Sequence, residues 1–290
     1  MRHSVELKEN NMNRQACPMA KMEKILVATD GSTYSENAVK EAILLAKNCS
    51  SRLFAVSVVI TNLEFEVTMP QVVEKEEKKA LGHLEAVKAQ ASKEGIDCDI
   101  FVPHGDEPYQ DIVRLALENR VDMIIVGRHG RTGLLRLMMG SVAARVIGHA
   151  PCNVLVIPPA ANIEFKTILI ATDGSRYSEA AVREAIGIAK RCKSRLVAVP
   201  VASSEVEVVP AKDNVEKTAA LASKEGVKAE VLTVFGKPYE AIIETAKQKG
   251  ADLIVVGSHG RKGLERLLTG SVTERVIGQT ETAVLVVKAN

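Results

Sequence analysis

Hydrophobic and polar positions follow one another along this chain in two rhythms. Short runs such as Met123-Ile124-Ile125-Val126 and Leu253-Ile254-Val255-Val256 are apolar at every position, the pattern of strands covered on both faces. The longer segments between them repeat apolar residues three and four apart, as an amphipathic helix does. In the first half this predicts a strand over residues 24–29, a helix over 35–48 with Ala38, Ala42, Leu45 and Ala46 on one face, and a second strand over 52–60. A long charged helix follows over about 72–94, closed by Gly95 as a C′ glycine. Strands over 97–102, 122–126 and 153–157 complete the half, with helices over 108–119 and 141–149. Pro108 suits a first helical turn, where its missing N–H costs nothing. This order calls for a parallel sheet with helices on both faces, because right-handed crossovers place them there.

The pattern then returns. Ile25-Leu26-Val27-Ala28-Thr29-Asp30-Gly31-Ser32 reappears as Ile168-Leu169-Ile170-Ala171-Thr172-Asp173-Gly174-Ser175, and Val126-Gly127-Arg128-His129-Gly130-Arg131 as Val256-Gly257-Ser258-His259-Gly260-Arg261. A period of about 140 residues is a duplicated domain and not a solenoid repeat. The expected organisation is a structureless extension over 1–21, one domain over 22–158, a linker around Pro158-Pro159-Ala160-Ala161-Asn162, and a second domain over 164–290. The second copy is about a dozen residues shorter between its second strand and its middle helix, which is expected over about 211–225.

Composition narrows the function classes. With 290 residues, 46% hydrophobic and 26% charged, the chain can bury two cores. A formal charge of +2 gives no field that seeks nucleic acid. No run approaches a membrane span, and the first 20 residues lack the apolar core of a signal peptide, so a cytoplasmic protein is expected. Cys17, Cys49, Cys98, Cys152 and Cys192 contain no CxxC pair and are read as reduced packing residues. The sequence has no GxxxxGK[ST] loop, no GxGxxG after the first strand and no GxSxG elbow around its candidate serines. These absences disfavour a P-loop NTPase, a dinucleotide-dependent dehydrogenase and an α/β-hydrolase.

Doubly wound sheets bind ligands beyond the carboxyl ends of their strands, where the winding reverses. Asp30 and Asp173 follow the first strand of each copy there. Gly127, His129 and Gly130, with Gly257, His259 and Gly260, follow the fourth, and Gly140-Ser141-Val142 and Gly270-Ser271-Val272 open the last helices. Glycines let main-chain N–H groups approach a phosphate, and a helix N-terminus adds unpaired donors and a positive dipole end. The bland alternative is that the glycines only permit tight turns and the serines are N-caps. Under it Ser271, with Glu274 three residues on, forms a capping box, whereas Ser141 has Ala144 in that place. Arg131 and Arg261 either reach a phosphate or stay solvated, and His129 and His259 read as loop hydrogen-bonders rather than catalytic bases.

The string G-x2-G-x9-G-[S/T], complete in both copies and preceded by an Asp closing strand one, resembles the universal stress protein family in its nucleotide-binding branch. That resemblance implies two tandem doubly wound five-stranded sheets of strand order 3-2-1-4-5, Rossmann-like and similar to the adenine nucleotide alpha hydrolases. It implies an adenine nucleotide, ATP, ADP or AMP, in each domain. Asp30 and Asp173 would hold the ribose or a phosphate-bound Mg²⁺, and Val58 and Val201 would meet the base. Val126, Gly127, Val256 and Gly257 would contact ribose or base, while Gly130, Gly140, Ser141, Val142, Gly260, Gly270, Ser271 and Val272 would line the phosphates. Ala28 and Ala171 stand where some members have proline, which bears on the adenine pocket. A regulatory role in stress response, with at most slow ATP hydrolysis or autophosphorylation, is the implied function, and a scaffold with empty sites is the alternative. The resemblance also implies pairing of the strands over 153–157 and 283–287 as an intramolecular pseudo-dimer, with a homodimer of chains as a further expectation.

Overall fold

The computed structural model describes residues 17–130, 138–200, 205–232, 236–259 and 270–289, and within these only the backbone of 205–211. The first half runs β1 (Lys24–Ala28), α1 (Thr33–Cys49), β2 (Arg52–Val56), β3 (Val59–Ile60), α2 (Leu63–Thr68), α3 (Pro70–Lys93), β4 (Cys98–Phe101), β5 (His104–Gly105), α4 (Pro108–Asn119), β6 (Met123–Gly127), α5 (Ser141–His149) and β7 (Asn153–Ile157). The second runs β8 (Thr167–Thr172), α6 (Arg176–Cys192), β9 (Arg195–Pro200), α7 (Glu205–Lys224), β10 (Ala229–Val231), α8 (Pro238–Lys249), β11 (Leu253–Gly257), α9 (Ser271–Gln279) and β12 (Ala283–Val287).

Each half has parallel strands in the order β4-β2-β1-β6-β7 or β10-β9-β8-β11-β12, which is 3-2-1-4-5 in both. The halves do not remain two sheets. β7 and β12 pair antiparallel, Val154 opposite Val286 and Leu155 opposite Leu285, so a single ten-stranded sheet crosses the molecule. This junction removes two sheet edges whose free N–H and C=O groups would otherwise face solvent.

Alternation along the strands sends side chains to two cores. Ile25 and Val27 join α1, α3, α6 and α7 on one face, while Leu26 joins α4, α5, α8 and α9 on the other. Ala38, Ala42, Leu45 and Ala46 form the buried stripe of α1. The C′ glycine is Gly95 at φ 74°, with Ile96 N–H returned to the Ala91 carbonyl at 3.0 Å.

Several elements depart from the sequence reading. The expected second strand over 52–60 breaks after Val56, and Val59–Ile60 pairs instead with His104–Gly105 in a two-stranded ladder. Pro103 explains the break. It has no N–H to continue the main ladder, and its carbonyl takes the Val59 N–H at 2.9 Å. Helix α2 was not expected. It is six residues long, too short for a period to show, and is started by the Asn62 side chain accepting from Phe65 N–H at 2.8 Å. Helix α7 begins at Glu205 rather than near 211, where Glu205-Val206-Glu207-Val208 alternates with a strand-like period of two.

The expected structureless extension does not reach Lys21. Cys17 is disulfide-bonded to Cys49 at the end of α1, Met19 and Met22 are buried, and the Pro18 carbonyl accepts from Arg191 Nε at 2.7 Å. This corrects the reading of all five cysteines as reduced. Cys98 and Cys152 remain packed thiols, which burial pushes up to about 11 and about 12. The linker is fixed as well: Asn37 Nδ2 donates to the carbonyls of Pro158 at 3.0 Å and Ala161 at 2.7 Å. Among the described residues no helix is long and apolar enough to cross a membrane.

Candidate functional site

The strand order reverses between β1 and β6, which lie side by side with Ala28 opposite Val126. The loops leaving these two strands therefore diverge and leave a crevice at their carboxyl ends. On the β1 side Gly31 turns the chain at φ 70°, a conformation that strains any side-chain-bearing residue. Asp30 is held rigidly in that turn: its Oδ1 accepts from Ser32 N–H at 3.0 Å, Ser32 Oγ at 2.6 Å and Ser35 Oγ at 2.9 Å. Behind it Thr29 Oγ1 meets Ser35 Oγ and His83 Nε2, each at 2.9 Å, tying the turn to α1 and α3.

On the β6 side the chain passes Gly127, Arg128, His129 and Gly130 and re-enters regular structure at α5. A Cβ on Gly130 would stand 2.8 Å from Asp30 Oδ2, so the two loops meet with no room for a side chain. Helix α5 has Gly140 as its N-cap with no side-chain cap, and its first intrahelical bond runs from Ala144 N–H to the Gly140 carbonyl at 3.0 Å. The amides of Ser141, Val142 and Ala143 thus open the helix without intrahelical acceptors, at the positive end of its dipole.

These loops enclose a cavity of about 340 Å³. Every described residue expected from the sequence in the first domain lines it: Ala28, Asp30, Val58, Val126, Gly127, His129, Gly130, Gly140, Ser141 and Val142. Its lining combines polar groups, Asp30, Ser35, Glu76 and the start of α5, with the apolar side chains of Val56, Val59, Ile60, Ala80 and Ile112. Sequence reasoning missed Arg128 and Glu76. The Arg128 signal was visible, since Val-Gly-Arg-His-Gly-Arg and Val-Gly-Ser-His-Gly-Arg differ only there. His104 also gains partners that the sequence did not reveal, Glu66 of α2 at 3.4 Å and Glu77 of α3 at 3.6 Å.

Three expectations change in detail. The Gly140 amide is not available to a ligand, because it donates to the Arg128 carbonyl at 2.9 Å; in the second domain Gly270 does the same to Ser258 at 3.0 Å. Neither serine is an N-cap. Ser141 and Ser271 are first helical residues, the caps are Gly140 and Gly270, and the Ser271–Glu274 capping box does not form. Val58 follows β2 instead of lying on it.

The second domain repeats the frame with different fittings. Asp173 Oδ1 accepts from Ser175 N–H at 2.9 Å, and Gly174 turns at φ 75°. Asn214 of α7 donates to the Asp173 carbonyl at 3.2 Å and crowds Gly174. Ala171, Val256 and Gly257 are buried at the strand ends, His259 Nδ1 lies 3.2 Å from Ser258 Oγ, and Gly270, Ser271 and Val272 open α9. Val201, Arg131, Gly260 and Arg261 lie outside the described residues.

Known proteins share this frame. The family model described as the universal stress protein family matches residues 21–158 and again 164–288. Universal stress protein MJ0531 of Methanocaldococcus jannaschii is 38% identical over 140 residues, covering 43% of this chain and 82% of its own. A universal stress protein of Mycolicibacterium smegmatis is 29% identical over 293 residues, 91% of this chain and 96% of its own. The crystal structure of a universal stress protein from Archaeoglobus fulgidus DSM 4304 superposes with a TM-score of 0.75 at 22% identity over 92% of this chain and 98% of that one, a likeness of fold. Two consecutive matches spanning almost the whole sequence, on two copies of one doubly wound frame, make this chain a tandem two-domain member of the universal stress protein family.

Proposed function

We propose that this chain is an adenine-nucleotide-binding regulatory protein of the stress response, acting in the cytoplasm, with ATP, ADP or AMP held in the cavity of the first domain. One observation carries the reading: a single cavity lined by apolar side chains also takes in Asp30, Gly130 and the uncapped start of α5. Its volume of about 340 Å³ lies within the range of small-molecule pockets. The residues fit the ligand chemically. Amides of a helix first turn and its dipole suit phosphate, and Gly130 lets its loop close up against Asp30, where a Cβ would collide with the carboxylate.

In this reading Val56, Val58 and Ile112 bury the base, Asp30 orients the ribose or a nucleotide-bound Mg²⁺, and the Ser141, Val142 and Ala143 amides receive phosphate oxygens. Asp173 and the opening of α9 do the same in the second domain, where Asn214 makes the strand-one turn more crowded. Turnover is at most slow, because His129 is committed to the Met138 carbonyl and to Arg128 and is not a positioned base. Denaturing freshly purified protein and chromatographing the supernatant tests the reading: released adenylate supports it, and its absence after incubation with millimolar Mg·ATP contradicts it.

A second reading, an interaction scaffold with empty sites, draws on α2. Leu63 and Val67 are 82% and 80% exposed on this helix, an apolar surface of the kind that partners cover.

A further inference from the structure

Arg128 follows β6 directly and belongs to the lining of the cavity, yet its side chain serves the other domain. It is 5% exposed, and its guanidinium donates through Nη1 to the Thr280 carbonyl and pairs through Nη2 with Glu281 at 3.0 Å, both in the segment between α9 and β12. Its Nε lies 3.4 Å from His129 Nδ1, and His129 Nε2 meets the Met138 carbonyl. Arginine only donates, so Nδ1 accepts and Nε2 carries the proton given to Met138. The Arg128 carbonyl closes the same loop by accepting from Gly140 N–H at 2.9 Å. The phosphate-side loop of the first domain is thus pinned at its start and at its return by one residue anchored in the second.

The far end of α5 is held from the same side. Lys288, just past β12, donates through Nζ to the Ile147 carbonyl at 2.8 Å and the Gly148 carbonyl at 3.3 Å, and its amide donates to Asn153 Oδ1 at 3.0 Å. A cation here complements the negative end of the helix dipole. Burial lowers the Lys288 pKa from its ordinary value, because desolvation disfavours the charged ammonium.

Among the described residues the arrangement runs one way. Where the first domain has Arg128 the second has Ser258, whose Oγ meets His259 within its own domain at 3.2 Å. Where the second has Lys288 following its last strand, the first has Pro158, which has no donor to offer. Among the described residues the second domain braces the site of the first through Arg128 and Lys288, and the positions equivalent to these two, Ser258 and Pro158, provide no such brace in return.

We propose that Arg128 is a positioning residue through which the β7–β12 junction and the first-domain cavity are coupled: occupation of that cavity by a nucleotide tightens the junction, and the intact junction raises affinity at that cavity. This rests on the adenine-nucleotide reading above. Coupling between sites is reciprocal, so one interaction gives both effects, with typical magnitudes of about 5- to 150-fold in affinity.

The test uses full-length protein, Mg·ATP and two readouts, calorimetric affinity and amide hydrogen exchange. Arg128→Ser installs the residue of the equivalent position, and Glu281→Gln alters only a side chain that is 67% exposed, which spares the core if the first variant folds poorly. Each single change is expected to weaken first-site binding, by about tenfold for Arg128→Ser, and the double variant to lose little more than Arg128→Ser. In wild type, Mg·ATP slows exchange over residues 283–287; in Arg128→Ser that protection is lost while protection at the start of α5 remains. A residue that merely stabilises the fold would lower the melting temperature and leave the ligand-induced protection of β12 in place. Wild-type binding with unchanged affinity and unchanged β12 protection in both variants overturns the coupling and leaves the nucleotide reading standing. Wild type that binds no Mg·ATP overturns both.

Discussion

Gly130 passes so close to Asp30 that a Cβ on the glycine would sit 2.8 Å from Oδ2. The contact joins the loops after β1 and β6 in the lining of the cavity, and Asp30 cannot swing aside freely because Oδ1 is held by Ser32 and Ser35. Gly130→Ala is therefore expected to reduce Mg·ATP affinity by about tenfold, roughly 1.4 kcal/mol. The cost in unfolding free energy should be smaller than that. Calorimetry paired with a urea melt separates the two effects.

Glu41 gives a prediction about pH. It is 4% exposed on α1, its Oε1 has no hydrogen-bond partner among the described residues, and burial pushes its carboxyl up to about 6 from the ordinary 4.5. The folded chain therefore binds this proton more tightly than the unfolded chain does. Its contribution is favourable at low pH and is lost as pH rises from about 4.5 to about 6, leaving a penalty of about 2 kcal/mol above that window. Glu41→Gln should be more stable than wild type at pH 7, with the gap closing towards pH 4.5. Urea melts at the two pH values check this, and a gap that does not change with pH would refute it.

The Cys17–Cys49 bond closes a sequence separation of 32 residues and ties the segment before β1 to the end of α1. Loops of that size restrict the unfolded chain enough to stabilise the fold by about 3–4 kcal/mol. A thiol reductant is expected to lower the melting temperature of wild type by several degrees and to leave Cys17→Ser unaffected. Thermal melts of both proteins with and without reductant decide it.

Two equivalent glycines should differ in what they tolerate. At Gly257 a Cβ would meet the Tyr177 carbonyl carbon at 2.8 Å and its oxygen at 2.9 Å, main-chain atoms at the start of α6 that cannot give way singly. At Gly127 the nearest atom is the Tyr34 carbonyl oxygen at 3.1 Å. Gly257→Ala is expected to destabilise by about 2–3 kcal/mol and Gly127→Ala by about 1 kcal/mol. Equal losses in denaturant titrations would show that the second domain is not the tighter of the two.

The frame was legible in the sequence wherever a period could show itself. Uninterrupted apolar runs such as Met123–Val126 gave the inner strands, Ala38, Ala42, Leu45 and Ala46 gave the buried side of α1, and the repeated glycine string placed the loops that line the cavity. What stayed hidden depended on single atoms or on contacts between distant segments. Pro103 ends a ladder by lacking one N–H, and six residues of α2 are too few to establish a helical period. Nothing near Cys17 announces that Cys49 waits at the end of a helix. The availability of main-chain amides was also beyond sequence. Glycine spacing marks where amides can approach a ligand, but it is the folded loop that commits the Gly140 amide to Arg128 and leaves the first turn of α5 its donors.

Calorimetric titration of the full chain with Mg·ATP, alongside Asp30→Ala, tests the central claim most directly. Wild type is expected to bind at least one nucleotide per chain, and Asp30→Ala to lose the first-domain event while remaining folded. No heat of binding from wild type at millimolar Mg·ATP, or identical isotherms for the two proteins, would contradict the account.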